Sequence, residues 1–272
     1  MNRETMIATV LAGLRADLAS TEAGAELSAS DLTSLAAAAP DAPTLKRWIK
    51  RRLAGEVLAH IHGNFEFAGR EFAVDKRAFV TDPELIHLVD AVTVRLAALA
   101  EELGRPPLVA EVGVGCGSLS LTLKARMPAA EFVGLDLDPD ALAVAADNSR
   151  RLGLTLRLIE AYLFDPWPAD LPAPDLIFGD PPWGDAETLY AADRPAAHYH
   201  AMPAASAFPL GGRTGVHAQI LRAATRRGWT GEIWLNGGSL PVGELAALGS
   251  LAARWQLVHP IAGLSLCHGR AV

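Results

Sequence analysis

Asp180-Pro181-Pro182-Trp183 follows the apolar run Asp175-Leu176-Ile177-Phe178-Gly179, and a strand ending in an acid, two prolines and an aromatic ring makes a rigid, concave ledge. Pro181 and Pro182 fix φ and carry no N–H, so nearby carbonyls stay available as acceptors. The acidic side chain and those carbonyls can hold the N–H groups of a planar nitrogen, with the Trp183 indole stacked on its face. Methylation of a poorly nucleophilic nitrogen would use that arrangement. A Pro-Pro turn closing a strand over a core Trp has the same four letters, so the ledge needs a second signal.

The second signal lies upstream. Leu108-Val-Ala-Glu-Val112 reads as a buried strand, and it runs into Gly113-Val-Gly115-Cys-Gly117. Three alternate glycines let backbone approach a ligand without intervening side chains. Ser118 to Ala125 then has helical spacing. Strand, glycine loop and helix in that order place a nucleotide-type cofactor at the carboxyl edge of a parallel sheet. The spacing is G-x-G-x-G, without the further residue of dinucleotide binders and without a Gly-Lys-Ser/Thr phosphate motif, which disfavours NAD and ATP. Glu131 to Asp136 is a second strand ending in an acid, and a carboxylate there can accept from two ribose hydroxyls. Loop and acid together point to S-adenosyl-L-methionine.

The elements that must position these residues follow from the whole chain. Its 272 residues leave room for one large α/β unit with a small appendage, and half are hydrophobic. No apolar stretch reaches transmembrane length, and the Met-Asn-Arg-Glu-Thr start lacks the apolar core of a signal peptide. A formal charge of −7 disfavours a broad nucleic-acid surface, although Arg222, Arg226 and Arg227 could form a small patch. Cys116 and Cys267 have neither metal-ligand nor disulfide spacing. Free buried thiols, no metal and a reducing, cytoplasmic setting are the expectations.

Residues 4–19, 28–39 and 43–60 show helical periodicity, with Ser28 and Asp31 suited to a helix start. Residues 1–62 are expected to form a helical domain. Residues 63–80 are expected as a linker, whose alternating Phe65 to Val74 segment reads as a β-hairpin turning at Gly69. Residues 81–272 would form the catalytic domain, with Asp82 as N-cap and Pro83 opening a helix that runs to Leu103. Strands fall at 108–113, 131–136, 154–159, 175–179 and 231–236, alternating with helices, and a pair near 255–259 and 264–268 closes one edge antiparallel. That pattern predicts a Rossmann-like, doubly wound α/β sheet. The irregular stretch 184–212 reads as a lid or substrate loop. His198, His200 and His217 read as loop or surface histidines.

The ordered set of motifs resembles the HemK-type protein-(glutamine-N5) methyltransferases that modify peptide chain release factors, within the class I S-adenosylmethionine-dependent enzymes. The likeness runs through Arg51-Arg52-Leu-Ala-Gly55-Glu56, His62-Gly63-Asn-Phe65-Glu-Phe67-Ala-Gly69, Pro83-Glu84, the glycine loop, Asp136, Asn148, the ledge, Gly211-Gly212 and Gly269-Arg270. The resemblance implies that Glu111, Gly113, Gly115, Gly117, Asp136, Leu137, Tyr162, Leu163 and Asp180 hold the cofactor. It implies that Asp180 to Trp183 carry the catalysis, and that Asp82 and Trp183 meet the acceptor. Four departures stand out, two of them at the acceptor side and two, Tyr162 and a Glu111 where Asp is usual, at the cofactor side. Asp180 and Trp183 stand where the family has Asn and Tyr, Asp82 stands where it has Arg, and Tyr162 replaces an adenine-contacting Asp.

An asparagine at 180 would offer a neutral carbonyl to a neutral amide, whereas Asp180 offers a charge. A buried carboxylate without a cation is destabilised by several kcal/mol or takes up a proton. A guanidinium or ammonium acceptor would supply the partner through charge-assisted hydrogen bonds, and Asp180 could then accept the departing proton. The leading expectation is therefore N-methylation of a basic nitrogen on a small molecule or peptide. Methylation of a release-factor glutamine and methylation of an exocyclic adenine or cytosine amine are the alternatives. A non-catalytic subunit that keeps the fold is a fourth.

Overall fold

The computed structural model describes residues 3–18, 27–183, 202, 203, 206 and 211–271. The segment 184–201, with His198 and His200, lies outside the described residues, as does most of the expected lid. No helix among the described residues is long and apolar enough to cross a membrane.

Four helices open the chain: α1 (Arg3–Leu18), α2 (Ala29–Ala38), α3 (Ala42–Leu53) and α4 (Leu58–His62). Ser28 caps α2 by accepting from the Asp31 N–H, and Asp41 caps α3 by accepting from Thr44 N at 2.7 Å. Their apolar stripes meet in one cluster around Leu35, Leu45 and Ile49, with Met6, Val10 and Ile61. The single helix expected over 43–60 is instead two. Gly55, at φ 92°, turns the chain out of α3, and the N–H groups of Gly55 and Glu56 cap the carbonyls of Arg52 and Arg51. Arg51 then clasps Glu56 and the carbonyls of His60 and Ile61, which fixes the turn into α4.

β1 (Asn64–Phe67) and β2 (Arg70–Ala73) form the expected antiparallel hairpin. Its two turn residues, Ala68 and Gly69, both have positive φ, the pattern whose twist matches the strands. After Asp82 comes a 3-10 turn at Pro83–Leu85, which leads into α5 (Ile86–Leu103). The Asp82 side chain makes no cap there; the backbone closes the turn, with Leu85 N–H on the Asp82 carbonyl. The capping role expected for Asp82 is thereby corrected: fixed φ at Pro83 starts the helix unaided.

The rest alternates: β3 (Leu108–Val112), α6 (Ser118–Arg126), β4 (Glu131–Asp136), α7 (Pro139–Leu152), β5 (Arg157–Glu160), β6 (Leu176–Gly179), α8 (Gly215–Arg226), β7 (Glu232–Gly238), α9 (Val242–Ala247), β8 (Ala252–Ile261) and β9 (Leu264–Ala271). β5 starts three residues later than expected, because the Leu154 N–H still caps α7 at the Ser149 carbonyl behind Gly153 in the left-handed region. The seven strands lie in the order β5-β4-β3-β6-β7-β9-β8. β5 through β7 are parallel, and β9 pairs antiparallel with both β7 and β8. Successive residues of β3 face opposite layers, Leu108, Ala110 and Val112 to one and Val109 to the other. One layer holds Ile220, Leu221 and Ala224 of α8; the other holds Leu88, Val92 and Leu96 of α5 with Leu121 and Leu123 of α6. A parallel sheet sealed on both faces has its open chemistry at the strands' carboxyl ends, where β3 and β6 adjoin and the strand order reverses.

Candidate active site

β3 and β6 deliver the two sequence motifs to one place. β6 ends at Gly179, whose added Cβ would stand 2.6 Å from the Val112 carbonyl oxygen, so only glycine lets the two strand ends run this close. The glycine loop leaves β3 through Gly113, Gly115 and Gly117 at φ 74°, 52° and 83°. A Cβ on Gly113 or Gly115 would point into open space. At Gly117 it would meet Leu121 and Ala145 at 3.2 and 3.3 Å, so that glycine serves the packing of α6 on α7. The first two glycines therefore keep a cradle clear above the sheet, and the third seats the helix beneath it.

Asp136, at the end of β4, is tied to that loop: one oxygen accepts from Gly115 N at 2.9 Å, the other from Asp138 N at 3.0 Å. Burial raises its pKa, and those backbone donors oppose the rise. A carboxylate has about four acceptor positions, so two remain for hydroxyls of a ribose. Glu111 lies deeper, only 1% exposed, and accepts from Ser120 N at 3.0 Å. Ser120 is the third residue of α6, and Gly117 provides no side-chain cap, so Glu111 acts as the cap from the neighbouring strand. Burial pushes its carboxyl up to about 8. Leu137, 55% exposed, follows Asp136 on the cleft rim. Tyr162 and Leu163 sit in the tight turn after β5, Leu163 at φ 56°, and the Tyr162 hydroxyl donates to the Gln219 side chain of α8. Tyr162 is 55% exposed.

The ledge itself is braced from β7. Asp180 Oδ1 accepts from Asn236 Nδ2 at 2.7 Å, while Asn236 Oδ1 accepts from Gly238 N at 2.9 Å. The Trp183 indole lies flat against Gly238, where a Cβ would come within 2.1 Å of its ring. Pro181 is buried, and Pro182 and Trp183 are half-buried beside it. Burial pushes the Asp180 carboxyl up to about 7; the Asn236 amide lowers it and the nearby negative charge of Asp82 raises it. Asp82 reaches this position because Thr81 is pinned on the glycine loop, its hydroxyl 2.5 Å from that of Ser118 and 3.8 Å from Cys116 Sγ. Asn148, fully buried, fastens the same loop to the hairpin by bonding the Ala73 N–H, the Ala73 carbonyl and the Cys116 carbonyl at 2.7–2.9 Å.

Sequence reasoning missed Asn236 and misplaced His217. Asn236 stands in an apolar strand, Ile233-Trp-Leu-Asn-Gly-Gly, where a buried amide is itself a signal that could have been used. His217 is not a loop histidine: it is fully buried in α8 and donates from Nε2 to the Asn236 carbonyl at 2.7 Å. Burial holds its pKa down at about 4. Of the expected arginine patch, Arg227 is engaged, donating to the Phe164 carbonyl and lying over the Trp229 ring, while Arg222 and Arg226 are exposed. Cys116 and Cys267 are free and buried.

A family model described as "Methyltransferase domain" matches residues 109–179, from β3 through the end of β6. The sheet order and this match give the chain the class I methyltransferase fold. The S-adenosyl-L-methionine expected from the glycine loop is the methyl donor of that class, and the open cradle at Gly113 and Gly115 fits it. Among curated relatives, the release factor glutamine methyltransferase of Deinococcus radiodurans is 38% identical over 166 residues, covering 58% of this chain and 52% of that protein. The one from Cereibacter sphaeroides is 38% identical over 141 residues, covering 52% and 47%. The HemK-type resemblance drawn from the motifs thus holds, while this chain spans about half the length of these relatives. The 4-amino-L-phenylalanine/4-methylamino-L-phenylalanine methyltransferase of Streptomyces pristinaespiralis is 28% identical over 218 residues, covering 80% of this chain and 73% of that protein. Among solved structures, the T. thermophilus 16S rRNA N2 methyltransferase (RsmC) in complex with AdoMet and guanosine shares the domain's fold, with a TM-score of 0.53 at 17% identity over 77% of this chain and 50% of that one.

Proposed function

We propose that this protein transfers the methyl group of S-adenosylmethionine to a basic nitrogen, an amine or guanidinium of a small molecule or peptide. One observation carries the reading: the half-buried carboxyl of Asp180 at the end of β6 has a second acid, Asp82, acting on it and, among the described residues, an amide, Asn236, bonded to it. Two acids at one such site favour a cationic guest, because the guest supplies the counter-charge that burial removed. The Streptomyces relative, named for methylating an amino-substituted phenylalanine, supports an amine of a small molecule as acceptor and aligns over most of both chains.

The donor supplies an electrophilic methyl carbon: its C–S bond breaks, with the pair going to sulfur, as the C–N bond forms. The residues of this chain do the rest. Asp180 takes a proton from the cationic acceptor and frees the nitrogen lone pair before attack. Trp183 covers one face of the acceptor and keeps water out, and the Pro181-Pro182 backbone holds the nitrogen in line. Asp136 and the glycine loop hold the donor.

A second reading, methylation of a release-factor glutamine, is favoured by the relatives at 35–38% identity. A carboxyl with a pKa of about 7 is protonated for much of the time near neutrality, and a protonated carboxyl resembles the amide that the family has at this position. Titration calorimetry in the presence of S-adenosylhomocysteine separates the two. Arginine-like and alkylamine ligands bind wild-type protein and lose affinity in Asp180→Asn; indifference of the protein to every cationic ligand would overturn the amine reading.

A further inference from the structure

We propose that Asn236 is the positioning residue of this site: its amide, locked from behind by Gly238, aims a hydrogen-bond donor at Asp180 and so selects the acceptor's charge. The inference rests on the proposed function and adds the residue that tunes it.

The orientation of the amide follows from its partners. The Gly238 N–H can only donate, so the atom it meets at 2.9 Å is the Asn236 oxygen, and the NH2 must face Asp180. That N–H is free for the purpose because the β7–β9 ladder shifts register between Asn236 and Gly238: Asn236 pairs with Leu266 and Gly238 with Ser265. A bulge of this kind turns a strand's side chain towards a site it would otherwise pass. Asn236 is 4% exposed, its backbone carbonyl is held by His217, and Trp183 rests on the same bulge at Gly238. One irregularity in β7 thus fixes the acid and the aromatic face of the ledge together.

The groups that act on Asp180 come from four elements. Asp82, before the 3-10 turn, brings negative charge, while Glu111, on β3, with its carboxyl pushed up to about 8, is largely uncharged near neutral pH. Asn236, on β7, brings the donor, and His217, on α8, stands one bond behind it, neutral and therefore silent above pH 5. Asn236 is the group among them that favours the ionised acid through a direct hydrogen bond. With the donor present, Asp180 can meet a cation as a carboxylate near neutral pH. Without it, burial and the charge of Asp82 keep Asp180 protonated, and a protonated acid neither attracts an ammonium group nor takes its proton.

The test is the pH dependence of kcat/KM for a primary alkylamine acceptor in wild type, Asp180→Asn, Asn236→Ala and the near-isosteric Asn236→Leu, with thermal unfolding used to verify folding. The two Asn236 variants are expected to move the acid limb upward by about one pH unit, the worth of one hydrogen bond to a charge. Their KM for the donor should change less than about threefold, since Asp136 and the glycine loop are untouched. A limb that stays in place in a folded Asn236 variant overturns the inference while leaving the proposed function intact. A limb that persists in Asp180→Asn instead removes Asp180 as the titrating base, and the proposed function falls with it.

Discussion

Gly238→Ala is the most informative single perturbation of the ledge. A Cβ at this position would lie 2.1, 2.3 and 2.5 Å from Cζ2, Cε2 and Cη2 of Trp183, where ordinary contact begins at 3.4 Å. The indole must therefore retreat by more than about 1 Å. Gly238 also has φ 51°, a conformation that costs alanine about 1 kcal/mol. Adding about 1–3 kcal/mol for the overfilled contact gives a total destabilisation of about 2–4 kcal/mol. A ring displaced on that scale no longer covers the acceptor, and misplacement by about 1 Å lowers kcat/KM by about 100-fold. Affinity for S-adenosylhomocysteine should hold, because the cradle is built from β3 and β4. The assay is a double-mutant cycle by urea unfolding with Trp183→Ala. Once the ring is gone those three close contacts are gone with it, so the double variant should be more stable than additivity predicts by about 1–2 kcal/mol. Strict additivity, or a Gly238→Ala variant with wild-type stability and activity, would refute the contact between ledge and bulge.

Asn148→Ala strips three buried hydrogen bonds from the junction of hairpin and glycine loop and should destabilise the protein by about 3 kcal/mol, with weaker donor binding; wild-type values in both urea unfolding and calorimetry would contradict the role given to it. His217 is neutral in the fold, with its pKa depressed from 6.5 to about 4. The unfolded chain therefore binds the extra proton, and the stability this group contributes is full above pH 6.5 and lost as pH falls through 4, amounting to about 3 kcal/mol. The difference in unfolding free energy between wild type and His217→Gln should change by that amount over the same range, and a constant difference would show the ring to be solvated.

The glycine loop, the Asp-Pro-Pro-Trp ledge and the hairpin at Gly69 were legible because glycine and proline restrict backbone locally, and the restriction travels with the letters. The alternation of strands and helices likewise gave the doubly wound sheet, since burial on both faces is written as continuous apolar runs. What stayed hidden arises between distant segments. Asn236 and Asp180 are 56 positions apart, and nothing near either residue announces the other. Glu111 looks like a ligand contact in sequence, whereas the fold also uses it to cap α6 from a neighbouring strand. Asp82 has the side chain of a cap, but the turn behind Pro83 closes through backbone alone. Gly55 broke a helix whose periodicity continues past it, because a left-handed residue ends the hydrogen-bond ladder whatever the pattern beyond.

The central claim is that the carboxyl of Asp180, in place of an amide, sets the nature of the acceptor. Labelled S-adenosylmethionine offered to wild type and to Asp180→Asn, with an alkylamine or guanidino acceptor and a release-factor peptide in competition, tests it most directly. Transfer to the basic nitrogen by wild type, reduced at least about 100-fold in the variant with a shift toward the glutamine, is the expected result. Transfer to the glutamine alone by wild type, unchanged in the variant, would contradict the account.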